Sequence, residues 1–308
     1  MSDAICANCS AVLAGEYCAS CGQRRFRPED RRFGHLLRQF FEALTDLDGR
    51  FWGSLRALMF HPGRLSRDYL EGRRVRWMSP VALFLFANLI YFLAPALSDF
   101  DLPLRNQVSR AVLDDYAAPA SVPPLEQTGH GQAHSSYSEP WVRAVLDRRQ
   151  RALDAQAAGQ NRTAERAFDA LERDYDAASA NYSKLLIVLH VPFLALGFMG
   201  LLWRTRRYYA EHFVVALHYF AFVLCFVELV FLPTAYVANA MGVTEMPGWL
   251  KWLSLVILCG YAARQIRVGY GVGWIGSLLG GVAIPLLLLV VNVTVYRALQ
   301  FAIVLLLS

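Results

Sequence analysis

The sequence predicts an α-helical polytopic membrane protein with about five transmembrane helices, preceded by a small cysteine-bearing module. Three observations lead there. Hydrophobic residues make up 56% of the chain and gather in runs of roughly 20, the length a helix needs to cross a bilayer. Four of the six cysteines fall between Cys6 and Cys21. Arginines cluster beside the apolar runs, five of them in the stretch His61–Pro80, HPGRLSRDYLEGRRVRWMSP. The formal net charge of +5 is modest, so the placement of the basic residues says more than their sum.

Residues 1–27 come first. Cys6, Cys9, Cys18 and Cys21 read C-x2-C-x8-C-x2-C, and a two-residue gap lets both sulfurs of a knuckle reach one ion. Gly15 and Gly22 supply the turns. All four positions are thiols with no open coordination site, so the expected cofactor is a structural Zn2+ on which folding of this short segment depends. Iron in a rubredoxin-like shell and a redox dithiol are the alternatives. The fold class here is a small N-terminal zinc-ribbon-like module. No apolar signal core precedes it, which predicts a cytosolic amino terminus, and a reducing cytosol favours metal over disulfides. Arg24, Arg25, Arg27, Arg31 and Arg32 suit a lipid-facing or topogenic role before a nucleic-acid one.

Residues 28–78 are read as cytosolic amphipathic or interfacial helices followed by a basic juxtamembrane segment. From Phe33 to Phe60 apolar residues recur at threes and fours, one stripe on a helix, and TDLDG at 45–49 predicts a break. With Phe and Trp on one face and Arg38, Arg50 and Arg56 on the other, such helices fit the headgroup plane. Pro62–Gly63 ends the pattern. Arg64, Arg67, Arg73, Arg74 and Arg76 then suit the anionic lipids of a cytoplasmic leaflet, which makes them the candidate lipid- or surface-binding residues. His61 is expected to cap or hydrogen-bond.

The succession of a cysteine-knuckle module, a helix ending in HPG, then RDYLEGRRVRWMSP and an apolar span resembles a bacterial family catalogued as a domain of unknown function, numbered 3667. RRYYAEHFVVALHYFAF, residues 206–222, is similar to that family's second recurrent patch. The resemblance covers nearly the whole chain outside residues 98–183. Ser10, where such knuckles often carry glycine, and His190, in a stretch usually apolar, depart from the pattern. The resemblance implies an integral membrane protein and supplies no reaction.

The first span is expected at 79–97, and the remaining four form a helical bundle over 184–308, at about 184–203, 213–237, 247–263 and 274–296. Arg204, Arg206 and Arg207 in one short loop and Arg264 and Arg267 in another place those loops in the cytosol, by the positive-inside rule. Five spans put the carboxyl terminus outside, with residues 298–307 either extending the last helix or lying at the interface. Localisation is then the inner membrane, multi-pass, with the amino terminus cytosolic. Between spans one and two, residues 98–183 form an extracytoplasmic loop with 9 Arg and 13 Asp or Glu. Its first part, to Ser138, reads as irregular, Pro140 as the first turn of a helix, and the spacing of Phe168, Leu171, Tyr175 and Tyr182 as a helical hairpin or stalk. His130 and His134 make a weak metal pair.

Within the apolar runs, Glu228, His190, His218, Glu211, Asn292 and Arg297 are the intramembrane polar positions, each presumed to have a partner. Glu211 and His218 share a helix face, whereas His212 points elsewhere. No nucleophile with a base, phosphate-cradling glycine loop or two-carboxylate site is visible, so the chain is expected not to be an enzyme. The leading function is a non-enzymatic membrane protein whose zinc module and basic helices dock a partner or the membrane surface; the alternative is a small transporter using Glu228 and its neighbours. Anionic lipids and a cytosolic protein are the expected partners, and nucleic acid is not.

Overall fold

The structure, a computed structural model, describes residues 5–23, 25, 50–93, 103–117, 132, 134–160, 166–240 and 248–308. Their regular elements are all helices, with no strand among them; residues 5–23 hold turns and one isolated β-bridge, Ile5 to Val12. The interfacial helix expected before Arg50, the break at 45–49, the basic run at Arg24, Arg27, Arg31 and Arg32, and His130 lie outside the described residues. The chain divides into two compact units, residues 1–97 with 191–288, and residues 98–190 with 289–308.

In the first unit, α1 (Arg50–Phe60) buries Ser54, Ala57 and Leu58 and leaves Trp52 and Phe60 exposed. Its end is forced by HPG. Gly63 has φ 84°, a left-handed value costly to any residue with a Cβ, and starts α2 (Arg64–Leu70). A Cβ there would lie 2.7 Å from the Val268 Cβ and 3.0 Å from the Gln265 backbone, so the turn also needs glycine to approach the neighbouring helix. After a second turn comes α3 (Pro80–Leu93), started by Ser79, whose hydroxyl accepts from the Ala82 N–H at 3.2 Å.

The centre of this unit is α8 (Tyr209–Phe226). It is buried almost all round, as a helix apolar on every face must be. The α3 helix packs along it, with Phe84 stacked on Phe220, and Phe222 lies flat on Tyr261 at 3.5 Å between ring centroids. Tyr261 belongs to α10 (Gly248–Tyr270), which turns through Gly271–Gly273 into α11 (Trp274–Val290). These two helices cross closely because Gly281 has no side chain: a Cβ there would stand 2.5 Å from the Ala263 Cβ and 2.7 Å from the Cys259 carbonyl oxygen. Between α8 and α10, a π turn at Val227–Phe231 leads into α9 (Leu232–Ala240).

Among the described residues, two helices are long and apolar enough to cross a membrane, Tyr209–Ala238 and Trp274–Leu307. Pro80–Tyr91 and Ile187–Leu201 are apolar but shorter. The expected second span at 184–203 is not one unbroken α-helix. It is divided by a 3-10 turn, Ile187–Leu189, between α6 (Ala167–Leu186) and α7 (His190–Leu201).

The second unit differs most from what the sequence suggests. Residues 103–117, expected to be irregular, form a 3-10 turn at Leu104–Asn106 and α4 (Arg110–Tyr116), which Ser109 caps by accepting from the Val112 N–H at 3.4 Å. The next helix, α5 (Ser135–Gln160), starts five residues before Pro140, so that proline lies inside it and not at its first position. The α5 and α6 helices pair as a hairpin. The closing helix, α12 (Arg297–Leu307), follows a second π turn at Val291–Tyr296. Its apolar residues Phe301, Val304 and Leu305 are buried in one core with Leu104, Val112, Leu146, Phe168, Leu171 and Tyr175. One face of residues 298–307 is therefore the inner side of this unit, while Leu299, Leu306 and Leu307 stay exposed: apolar spacing looks the same whether a face meets lipid or protein. The charges lie outside this core. Arg105 binds Glu172 bidentately at 2.5 and 2.6 Å, and Arg143 bridges Glu139 and Asp115 at 2.9 and 2.6 Å.

Candidate functional site

The four cysteines sit on two loops of the same build. In the first, the Ser10 N–H donates to the Cys6 carbonyl at 2.9 Å and the Cys6 N–H to the Ala11 carbonyl at 2.8 Å. In the second, Gly22 and Cys18 repeat both bonds, to Cys18 and Gln23, at 2.8 Å each. Each loop needs a left-handed residue after its second cysteine. Gly22 meets this at φ 71°, whereas Ser10 is held at φ 62° against its own Cβ.

The sulfurs converge. All four lie within 4.8 Å of one another, with Cys6 to Cys21 at 3.7 Å and Cys9 to Cys18 at 3.5 Å. A tetrahedral shell with Zn–S bonds of about 2.3 Å places neighbouring sulfurs roughly 3.8 Å apart, so the donor set fits such an ion. Hydrogen bonds from the Gln23 backbone and the Asn8 side chain lower the Cys21 thiol to about 6, and the Ser20 backbone lowers that of Cys18. Cys9, although the Ala11 N–H favours its thiolate, is pushed up to about 12 by its sulfur neighbours Cys18 and Cys21. Thiolates this close repel one another, and a cation among them removes the conflict.

The module is fastened to the arginine stretch by Gln23, a residue that no local pattern singles out. Gln23 is buried; its amide NH2 donates to the Gly72 carbonyl, and its oxygen accepts from the Arg74 N–H at 3.2 Å. Ala7 lies over Gly72. The outer side of the module carries Ile5, Val12 and Tyr17, each more than 60% exposed.

The arginines are mostly engaged within their own stretch. Asp68, only 3% exposed, accepts from Arg73 at 2.6 Å and from the Trp77 indole N–H at 2.9 Å, with Arg67 at 3.6 Å. Burial alone would raise its carboxyl; the bonds from Arg73 and Trp77 outweigh this and hold it below its ordinary value. Arg73 also pairs with Glu71, and the Arg74 guanidinium stacks over Tyr69 at 4.2 Å. Arg64 and Arg76 lie over Trp77, at 5.5 and 5.0 Å from its ring centre. Arg67, Arg73 and Arg74 are thus tied into the fold, and Arg64 and Arg76 present charge outward. The His61 backbone caps α1 by donating to Ala57, and its carbonyl accepts from the Arg64 N–H.

The polar residues of the apolar runs fall into separate groups. In the first unit Gln265 donates to the Ser66 hydroxyl at 3.1 Å and to the Val215 carbonyl at 3.0 Å, and the Ser66 hydroxyl shares a hydrogen bond with His218 Nδ1 at 3.1 Å. This chain ties α2 to α8 and α10, and Ser66 and Gln265 were missed because each is one polar residue in an apolar pattern. Glu211 accepts from the Tyr208 N–H at 2.9 Å and pairs with Arg207, closing the start of α8. His212 bonds the Tyr270 hydroxyl at 2.8 Å. Glu228 lies in the π turn after α8, with Oε2 buried and without a hydrogen-bond partner among the described residues.

The second unit holds the others. His190 Nδ1–H donates to the Ile187 carbonyl at 3.0 Å, its Nε2 is 3.3 Å from the Asn292 amide, and its ring faces Tyr296. Arg297 opens α12 near His134. His134, which the sequence placed in a loose loop, is 1% exposed against Phe301, and neither ring nitrogen has a partner among the described residues. Burial and the Arg297 charge lower its imidazole to about 4.

A family model described as "Protein of unknown function (DUF3667)" matches residues 48–92, which run from just before α1 through the arginine stretch to α3. Comparison with curated proteins and with solved structures found no match in either.

Proposed function

We propose that the chain is a non-enzymatic, multi-pass membrane protein of a bacterial inner membrane, with a cytosolic amino terminus, whose zinc-held module docks a cytosolic protein. The observation that carries this reading is the clamp of Gln23 on Gly72 and Arg74, because it leaves Ile5, Val12 and Tyr17 exposed on a rigidly mounted module. Exposed large apolar side chains on a small metal-held knob are a cost in water and an asset at an interface.

The membrane assignment is supported by α11, whose Trp274, Ile275, Leu278, Leu279, Val282 and Leu286 are all at least 55% exposed, in a helical stretch only 28% buried. Lipid is the solvent such a surface suits. The shared core of α12 with α4–α6 supports a carboxyl terminus on the same side as residues 103–186, as an odd number of spans requires. Arg64 and Arg76 sit just before α3, where charge meets anionic headgroups.

The test is affinity capture of full-length protein from membranes, comparing wild type, Ile5→Ser/Tyr17→Ser and Glu228→Gln. A partner retained by Glu228→Gln and lost from the module double variant, with zinc content unchanged, supports docking. A partner set indifferent to the module overturns it. A second reading, a small transporter, is favoured by the buried, unpartnered carboxylate oxygen of Glu228 in a π turn, a distortion frequent at functional sites. It predicts loss of a solute-dependent proton flux in Glu228→Gln proteoliposomes.

A further inference from the structure

The end of α1, the HPG turn, the start of α2 and the end of the arginine stretch enclose an open recess of about 440 Å3. Gly53, Arg56, Ala57, His61, Arg64, Arg76 and Trp77 line it. The lining has three guanidinium groups and an imidazole, and no acid. Among the described residues Arg56, Arg64 and Arg76 pair with no carboxylate; the acids of the stretch, Asp68 and Glu71, are taken by Arg67 and Arg73. Trp77 is buried and fixed through its indole N–H to Asp68, so it is a rigid wall on which Arg64 and Arg76 rest.

We propose that this recess binds a phosphate ester. Guanidinium forks match phosphate oxygens in pairs, and two of the three are already held over an indole, which lessens the ordering they undergo when a ligand arrives. The volume lies in the range of small-molecule sites, and exceeds what a bare anion fills. The esterifying group then occupies the remainder, along Gly53 and Ala57 of α1. The ester is that of a lipid headgroup or of a soluble metabolite; both present the same phosphate. Only the lipid source rests on reading this stretch as the cytosolic headgroup layer, and the binding itself does not.

Titration of the purified full-length protein in neutral detergent, with dioctanoyl phosphatidic acid and with glycerol 3-phosphate, tests the site. Wild type binds saturably. Arg64→Gln/Arg76→Gln weakens binding by more than about tenfold, as expected for loss of charge-assisted bonds. Arg76→Lys, which keeps the charge but not the fork, falls between them. Arg264→Gln/Arg267→Gln, which removes the same charge from exposed positions on α10, binds as wild type. Tighter binding of phosphatidic acid identifies a lipid site, and equal binding a soluble ester. Absence of saturable binding of either probe by wild type, or equal losses in both double variants at unchanged thermal midpoint, overturns the proposal. Neither outcome bears on partner capture by the cysteine module.

Discussion

Replacing Gly63 with alanine tests whether the HPG turn anchors the arginine stretch to α10. Two costs add. The left-handed φ of 84° costs about 1–2 kcal/mol once a Cβ is present. The new Cβ would also lie 2.7 Å from the Val268 Cβ and 3.0 Å from two backbone atoms of Gln265. The Val268 side chain can shift a little but the helix backbone cannot, so overpacking adds about 1–3 kcal/mol. The total is about 2–5 kcal/mol, and the Gln265–Ser66–His218 chain feels it as well, because the new methyl presses on the backbone that carries the Gln265 amide. At about 2 °C per kcal/mol for a chain of this size, the thermal midpoint in detergent falls by roughly 4–10 °C. Gly53→Ala is the comparator: a Cβ in α1 meets nothing within 4 Å, and alanine there stabilises by about 0.5–1 kcal/mol. If the two variants had the same midpoint, the close approach of the turn to α10 would be wrong.

Ser10→Gly relieves the left-handed strain at φ 62° and stabilises the metal-held module by about 1 kcal/mol, so zinc transfer to a competing chelator shifts about fivefold towards retention; faster loss of zinc would contradict this. His134 carries a pH dependence whose sign is fixed by its depressed imidazole, at about 4 when folded against about 6.5 unfolded. Between those values the unfolded chain binds a proton that the folded chain does not, so stability present above pH 6.5 is lost as the pH falls towards 4, by about 3 kcal/mol in full. His134→Phe should flatten that part of the urea-unfolding profile of the second unit; an unchanged slope would place the titrating group elsewhere.

The parts legible in the sequence are those where chemistry fixes spacing. The C-x2-C pairs predict converging thiols, and the proline and glycine of HPG predict the break that Gly63 makes. Ser10, a departure from the usual glycine, is the residue held in the left-handed region. The second unit was not legible in the same way, because the burial of Leu104, Val112 and Leu113 depends on partners more than fifty residues away, Phe168, Leu171 and Phe301. The burial of Phe301, Val304 and Leu305 is illegible for the same reason: an apolar face does not say what covers it. Gln23, Ser66 and Gln265 each act through two hydrogen bonds to distant segments, for which no local pattern exists.

The four-cysteine module and the arginine stretch are joined into one surface through Gln23, and the Arg74 amide reports on it directly. Its N–H donates to Gln23 in the module, whereas the neighbouring Arg73 N–H donates to the Asp68 carbonyl within the stretch itself, at 2.8 Å. Amide exchange on the full-length protein, before and after zinc removal by chelation, separates the two. Chelation is expected to speed exchange at Arg74 by more than about tenfold, the loss expected for one hydrogen bond and its docking contacts, while Arg73 changes little. Equal protection of Arg74 with and without metal would contradict it.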